Sequence, residues 1–176
     1  MRALYAGTEG WKNDLTNSLV LNNNSYLRRV PTVTGNRRQF TILMNVRRTT
    51  HDQQHWLFSA GTSFYYRIQA GGKIEVGGVN AAGAFVSDKV VRDTEWFFLG
   101  LAYDSVAQTI KVVMNDEELT GTFTLPSVNY QTNMNLEGAN QDIGTYNNNA
   151  SNESNYCISD VVILDGEVLT PQEMIN

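Results

Sequence analysis

Glu95 to Glu118, EWFFLGLAYDSVAQTIKVVMNDEE, reads as two adjacent strands. Trp96 to Tyr103 is an unbroken apolar run of aromatic and branched residues with one glycine, long enough for a strand buried on both faces. Asp104 to Thr109 is a polar turn, after which Ile110, Val112 and Met114 alternate with Lys111, Val113 and Asn115. Strand, short loop and alternating strand make a hairpin in the middle of a β-sheet. The rest of the chain is expected to pair with this hairpin or to pack over it.

Upstream, Phe40, Ile42, Met44 and Val46 fall on one face of a strand, with Thr41, Leu43, Asn45 and Arg47 on the other. Trp56 to Ser59 is a short strand broken by Gly61, and Phe64–Ala70 and Lys73–Val76 flank the Gly71-Gly72 turn of a second hairpin. A weaker strand covers Ala84 to Val91. Nearer the N-terminus, Leu4 and Tyr5 read as the start of an edge strand and Ser18–Leu21 as a short strand. Asn22-Asn23-Asn24 then makes a tight turn before Ser25-Tyr26-Leu27. Downstream, Asn115-Asp116 turns the chain into a strand over Thr120–Leu125, and Asp142–Thr145 is a short extended piece. Asn147–Asn155 is a polar, solvent-facing loop. Tyr156–Leu164 is the last strand, turned by Asp165-Gly166. Thr170-Pro171-Gln172-Glu173 has a threonine cap, proline at the first helical position and glutamate three residues after the cap, so it opens a single terminal helical turn. Every other periodic segment has period two, and no internal repeat is visible. The expectation is one all-β domain over residues 1–176.

Composition narrows the function. Of 176 residues, 41% are apolar and 18% charged, which suits a globular β protein with a sizeable core. The net charge of −5 argues against nucleic acid or an anionic membrane as partner. The pairs Arg28-Arg29, Arg37-Arg38 and Arg47-Arg48 sit at strand ends and bends and read as a solvated rim. The single Cys157 excludes an intrachain disulfide and a cysteine zinc site, and its surroundings suggest a small core residue. MRALYAGTEGWKN has no charged start followed by an apolar core, and no apolar stretch reaches the length of a membrane span. The chain is therefore expected to fold in the cytoplasm, and its Asn-x-Ser triplets at Asn23, Asn149 and Asn152 carry no weight as glycosylation sites.

In this order the motifs resemble the laminin-G-like members of the concanavalin A-like lectin/glucanase superfamily. The matching stretches are SLVLNNNSYLRR, QFTILMNVRR, WLFSAG with FYYRIQAGGKIEV, TEWFFLGLAYDSVAQTIKVVMNDEEL and NYCISDVVILDGEVLTPQEM. The resemblance implies a two-sheet antiparallel jelly roll with one short C-terminal helical turn. The tract SYLRRVPTVTGNRRQFTI further resembles versions of this domain in tailed-phage virion proteins. Asn115-Asp116 stands where those versions have Asn-Gly, a change that leaves the turn intact because both residues tolerate it.

Glucanases of the superfamily carry paired carboxylates on one strand to flank the glycosidic bond. That spacing is missing here: Asp116-Glu117-Glu118 lies in a turn, and Asp160 and Asp165 stand apart. His51 and His55 share a loop with no nucleophile beside them. The chain is therefore expected not to be an enzyme. Hard oxygen ligands for calcium are offered by Asp104, Asp142 and the asparagines of 147–155, set against their ordinary role of bonding their own turns. No other cofactor is expected. Glycan binding needs an aromatic platform beside amides or carboxylates, types supplied by Tyr65, Tyr66, Tyr130, Tyr146 and Tyr156 near asparagine-rich loops. Trp56, Trp96 and the phenylalanines lie inside strand patterns, where core packing is the default.

The functional expectation is a non-enzymatic module on a phage virion surface, made in the host cytoplasm. It would decorate a capsid or serve a tail in many copies, as a homo-oligomer or a lattice-bound monomer, and would touch other virion proteins and a host-surface glycan. The alternative is a carbohydrate-binding, lectin-like module of a bacterial protein. Recognition is expected on the longest strand-poor stretch, Asn129–Asn155, through Tyr130, Asn140, Tyr146, Asn147, Asn148 and Asn149.

Overall fold

Period-two alternation, repeated down the chain, makes strands with one face for a core and one for something else. The computed structural model describes residues 18–22, 25–78, 82–92, 94–147 and 154–176. The strand expected at Leu4 and Tyr5, and Asn23 and Asn24 of the first turn, lie outside the described residues. In chain order the elements are β1 (Leu19–Leu21), β2 (Leu27–Arg29), β3 (Gln39–Arg48), β4 (His55–Ala60), β5 (Phe64–Ile68), β6 (Lys73–Gly77) and β7 (Ala84–Val90). They continue with β8 (Trp96–Asp104), β9 (Thr109–Met114), β10 (Glu117–Glu118), β11 (Gly121–Thr124), β12 (Gln141–Ile143), β13 (Tyr156–Asp165) and α1 (Pro171–Ile175).

The strands form a six-stranded sheet, ordered β1-β13-β3-β8-β9-β10, and a seven-stranded sheet, ordered β11-β7-β6-β5-β4-β12-β2. All their pairings are antiparallel. This is the all-β jelly-roll sandwich that the motif order implies. The β8–β9 hairpin pairs Leu99 with Met114 through to Asp104 with Thr109, and β3 lies against the other side of β8. Asn115 closes the next turn at φ 55°, a left-handed conformation that asparagine adopts more readily than most residues. Its Oδ1 accepts the Phe98 N–H at 3.0 Å.

Between the sheets, Phe40, Ile42, Met44 and Val46 of β3 are fully buried against Phe58, Phe64, Tyr66, Ile68, Ile74 and Val76. Phe40 stacks on Tyr103 at 5.0 Å between centroids and meets Phe64 edge-on at 5.0 Å, an arrangement that adds to plain burial. β8 is buried on both sides because its second face, Phe98 and Ala102 with Val113 of β9, is roofed by Met174 of α1. Leu43, Val168, Leu169 and Ile175 complete this smaller cluster. Gly100 makes the roof fit: a Cβ there would lie 2.6 Å from Val113 Cγ2 and 3.0 Å from Met174 Sδ. The helix is five residues long, too short to persist alone. Thr170 and Glu173 form the expected capping box, and burying Met174 contributes about 2 kcal/mol.

One expectation from the arginine pattern is corrected here. Arg28, Arg29 and Arg47 are exposed and Arg37 and Arg38 half-buried, but Arg48 is 1% exposed. It is pulled inward by two backbone carbonyls from loops that follow β3 and β7.

Candidate functional site

The outer face of the seven-stranded sheet follows from register. Trp56 pairs with Arg67 and Arg67 with Glu75; one row along, Ser59 pairs with Tyr65 and Tyr65 with Gly77. Tyr66, Ile68, Ile74 and Val76 alternate with these residues and enter the core, so the two rows point outward. Trp56 is only 4% exposed, yet it belongs to neither apolar cluster. Its core placement, the default for a strand tryptophan, is thereby corrected: it is buried from the outside. Tyr146 stacks on the indole at 4.4 Å and 17°, Tyr65 meets it edge-on at 5.4 Å, and the Arg67 guanidinium lies 4.7 Å from its centroid. Tyr146 and Tyr65 also meet each other edge-on at 5.8 Å.

Glu75 organises the polar half of this cluster. Its Oε1 accepts the Tyr65 hydroxyl at 2.8 Å, and its Oε2 accepts Arg67 Nε at 2.7 Å and Gln69 Nε2 at 2.8 Å. Arg67 Nη2 stands 2.6 Å from the same oxygen, and Arg67 Nη1 donates to Gln54 Oε1 at 3.0 Å. Burial, then the bond to Glu75, pushes the Tyr65 phenol up to about 12, so it is a neutral donor at ordinary pH. Gly77 provides the room. A Cβ at that position would lie 2.7 Å from Tyr65 Oη and 2.8 Å from Cζ, so the ring crosses β6 only over a glycine.

Beyond Glu75 the face drops to short side chains. Val86 lies opposite Glu75, Thr122 opposite Val86, and Thr124 opposite Ala84. An aromatic wall with fixed donors and acceptors therefore stands beside a low floor of alanine, valine and threonine. On the wall's other side, Asp142 pairs with Ser59 and with Arg28 of β2. Arg28 grips Asp142 through Nε at 2.6 Å and Nη2 at 2.9 Å, and its guanidinium lies 4.9 Å from the Tyr26 centroid.

The residues expected to form the site divide. Tyr146 and Asn147 reach this face: Gly144 N–H bonds Trp56 O at 3.0 Å, Ser59 Oγ bonds Thr145 O at 3.1 Å, and the next residue lays its ring on the tryptophan. Asn140 sits at the far end of β4, where its carbonyl accepts Gly61 N–H at 3.1 Å. Tyr130 lies beside the β8–β9 turn, its carbonyl bonded by Ser105 Oγ at 2.8 Å. Neither is brought to Tyr146. Asn148 and Asn149 lie outside the described residues. Among the other tyrosines weighed, Tyr65 is on the wall, whereas Tyr66 and Tyr156 are wholly in the core, where burial raises both phenols well above their ordinary range. Gln54, Trp56, Arg67, Gln69 and Glu75 were not singled out. The available signal was the Gly71-Gly72 hairpin, whose register sets Arg67 of FYYRI against Glu75 of KIEV.

Asp104 and Asp142 do not fit a calcium ion as placed. Asp104 Oδ1 accepts Val106 and Ala107 N–H at 2.7 and 2.9 Å, and Asp142 is held by Arg28. Among the described residues no three histidine, cysteine, aspartate or glutamate side chains converge on one point. Glu117 and Glu118, expected in a turn, form strand β10 against β9 and pair with Lys89 and Lys111. His55 is fully buried, bonded through Nε2 to Thr50 O at 3.0 Å, and burial lowers it to about 4.

No protein-family model matches the sequence, and no curated protein matches it. Solved structures do share the fold. A native heptameric SAP-like pentraxin from Limulus polyphemus superposes with a TM-score of 0.70 at 14% identity, covering 90% of this chain and 79% of that one. Domain 4 of an extracellular arabinanase from Geobacillus stearothermophilus, solved with arabinotriose, gives 0.65 at 16% identity, covering 97% and 81%. The IT-sialidase CBM40 of Ruminococcus gnavus gives 0.60 at 15% identity, covering 85% and 96%. At these identities the likeness is one of architecture: the chain is a jelly-roll sandwich of the kind these proteins share.

Proposed function

We propose that this chain is a non-catalytic, lectin-like carbohydrate-binding module that takes glycan on the outer face of its seven-stranded sheet. The observation that carries this reading is the Trp56–Tyr146–Tyr65 cluster beside Glu75, Arg67, Gln54 and Gln69 on a face that points away from the core. Sugars present apolar ring faces that stack on aromatic rings, and hydroxyl pairs that bond planar carboxylate, amide and guanidinium groups. The wall supplies both, already ordered by internal bonds, so little freedom is lost on binding. The names of structural relatives point the same way, one solved with arabinotriose and another with alpha2,3 sialyllactose. Glu75 is committed to Tyr65, Arg67 and Gln69, which suits recognition rather than glycoside hydrolysis.

The virion setting implied by SYLRRVPTVTGNRRQFTI is compatible with such a face, which many copies on a particle would turn toward host glycan. Immunogold labelling of particles checks that setting separately. Absence of label with sugar binding intact leaves the module and removes the particle.

The module itself is tested on a glycan array with the wild type and Tyr146→Ala. Selective binding by the wild type, weakened about tenfold or more by the variant, is expected for loss of a stacking ring. Undiminished binding by Tyr146→Ala, or no glycan bound by the folded wild type, overturns the assignment.

A further inference from the structure

A second concentration of charge lies at one end of the sandwich, where the connections after β3, between β5 and β6, and after β7 meet. Arg48 ends β3 and heads the largest fully buried side chains. Its Nη1 donates to Val91 O and its Nη2 to His51 O, while Nε has no partner. Among the described residues no carboxylate pairs with it, although Asp52 on the neighbouring loop contributes a favourable field. Buried polar groups in folded proteins are nearly always satisfied, and a buried charge held only by neutral carbonyls is costly.

Against this guanidinium opens a cavity of about 370 Å³ lined by Arg48, His51, Ala70, Gly71, Val91 and Arg92. Among the described residues its lining side chains include two arginines and a histidine and no acid. Its shape depends on Gly72, whose φ of 85° presses the β5–β6 turn close: a Cβ there would lie 2.5 Å from Val91 O and 3.2 Å from Arg48 Nη1. Arg92 is exposed and lines the opening.

We propose that this cavity is an anion-binding site, taking a carboxylate, sulfate or phosphate group. Arg92 makes the direct contact, His51 can add a donor, and Arg48 supplies fixed positive charge from behind. The site goes beyond the glycan reading and does not depend on it: no residue lining it belongs to the aromatic wall, although His51 shares a loop with Gln54, and Ala70 and Gly71 share one with Gln69.

Thermal melting of the full chain tests it, with sodium sulfate, sodium phosphate and sodium glucuronate each titrated against sodium chloride at matched ionic strength. A ligand that binds only the folded state raises the melting temperature by mass action. At least one of the three anions is expected to raise it saturably above the chloride control, and which one responds separates a sugar carboxylate from a sulfated or phosphorylated group. Arg92→Gln should weaken that apparent affinity about tenfold, the usual effect of losing a charge-assisted bond, while melting like the wild type in chloride. Tyr146→Ala should leave the anion response unchanged. No saturable response to any of the three anions overturns the proposal and leaves Arg48 as a brace between two loops. So does an affinity that survives Arg92→Gln, or one that Tyr146→Ala abolishes.

Discussion

The outside of the six-stranded sheet has an apolar patch of Leu43, Phe98, Ala102 and Val113, and that patch is covered by Val168, Leu169, Met174 and Ile175. The outside of the seven-stranded sheet carries Trp56, Tyr65, Arg67 and Glu75, and Tyr146 is laid against it. The covered face illustrates the ordinary rule that an apolar surface gains free energy by finding a roof. The other face pairs Tyr65, Arg67, Gln69 and Glu75 with one another by an ion pair and hydrogen bonds across neighbouring strands, leaving the Trp56 indole N–H without a partner among the described residues, so it has less need for an apolar cover. A face of that kind can remain open and still be ordered, which a recognition surface requires. The two faces should therefore fail differently, one by unfolding and the other by losing a ligand.

Gly100→Val attacks the covered face and should produce the largest effect. The added side chain collides with Val113 and Met174, which cannot both retreat, and should cost about 3 kcal/mol in urea unfolding. A loss below about 0.5 kcal/mol would mean that α1 is not packed there, and the contrast between the faces would break.

Acid probes the core that both sheets share. His55 is neutral in the fold with its pKa near 4, whereas the unfolded chain protonates it near 6.5. The unfolded state thus binds more protons between those values: stability is whole above about pH 6.5 and declines as pH falls toward 4, by at most roughly 3 kcal/mol. Melting curves across this range should show the slope in the wild type and in His51→Gln, and a flattened slope in His55→Gln. An unchanged slope in His55→Gln would place the acid sensitivity elsewhere.

Glu75→Gln sharpens the contrast from the open face and should be the gentlest on stability. The pair with Arg67 is partly exposed, so its loss should cost about 1 kcal/mol. Glycan affinity should nonetheless fall about tenfold, because Tyr65 and Arg67 lose the group that aims them. Calorimetric titration with whichever sugar the array identifies reads the difference. A loss of stability without a loss of affinity would make Glu75 a structural residue only.

The sandwich was legible because alternation survives in its long strands: Phe40 to Arg47 assigns both faces of β3, and Trp96 to Tyr103 shows no polar face because it has none. The helical turn was legible from its cap. The wall was not, for reasons that lie in β4. A register shift between Trp56 and Phe58 inserts Leu57, so WLFS shows no alternation that could mark Trp56 as outward. Glu75 looked like any solvent-side residue of KIEV, since Tyr65, Arg67 and Gln69 come to it across the sheet. Arg48 looked like its exposed neighbour Arg47, because the carbonyls that draw it inward, those of His51 and Val91, belong to two different loops. Tyr146 was found from composition, and so were Tyr130 and Asn140. Composition cannot report that only the first lies on a chain segment bonded back to Trp56.

That bonding has a consequence for how such a protein changes over generations. Gly144 donates to the Trp56 carbonyl as the chain leaves the sheet, and Trp56 N–H donates to Ser154 Oγ at 2.6 Å where it returns. Departure and return are fastened to one residue. The cost of closing a loop rises only slowly with its length, so the residues between can be rewritten, lengthened or trimmed while both ends stay where they are. Variation could then accumulate at the rim of the aromatic wall as new specificities, with the sandwich beneath inherited unaltered.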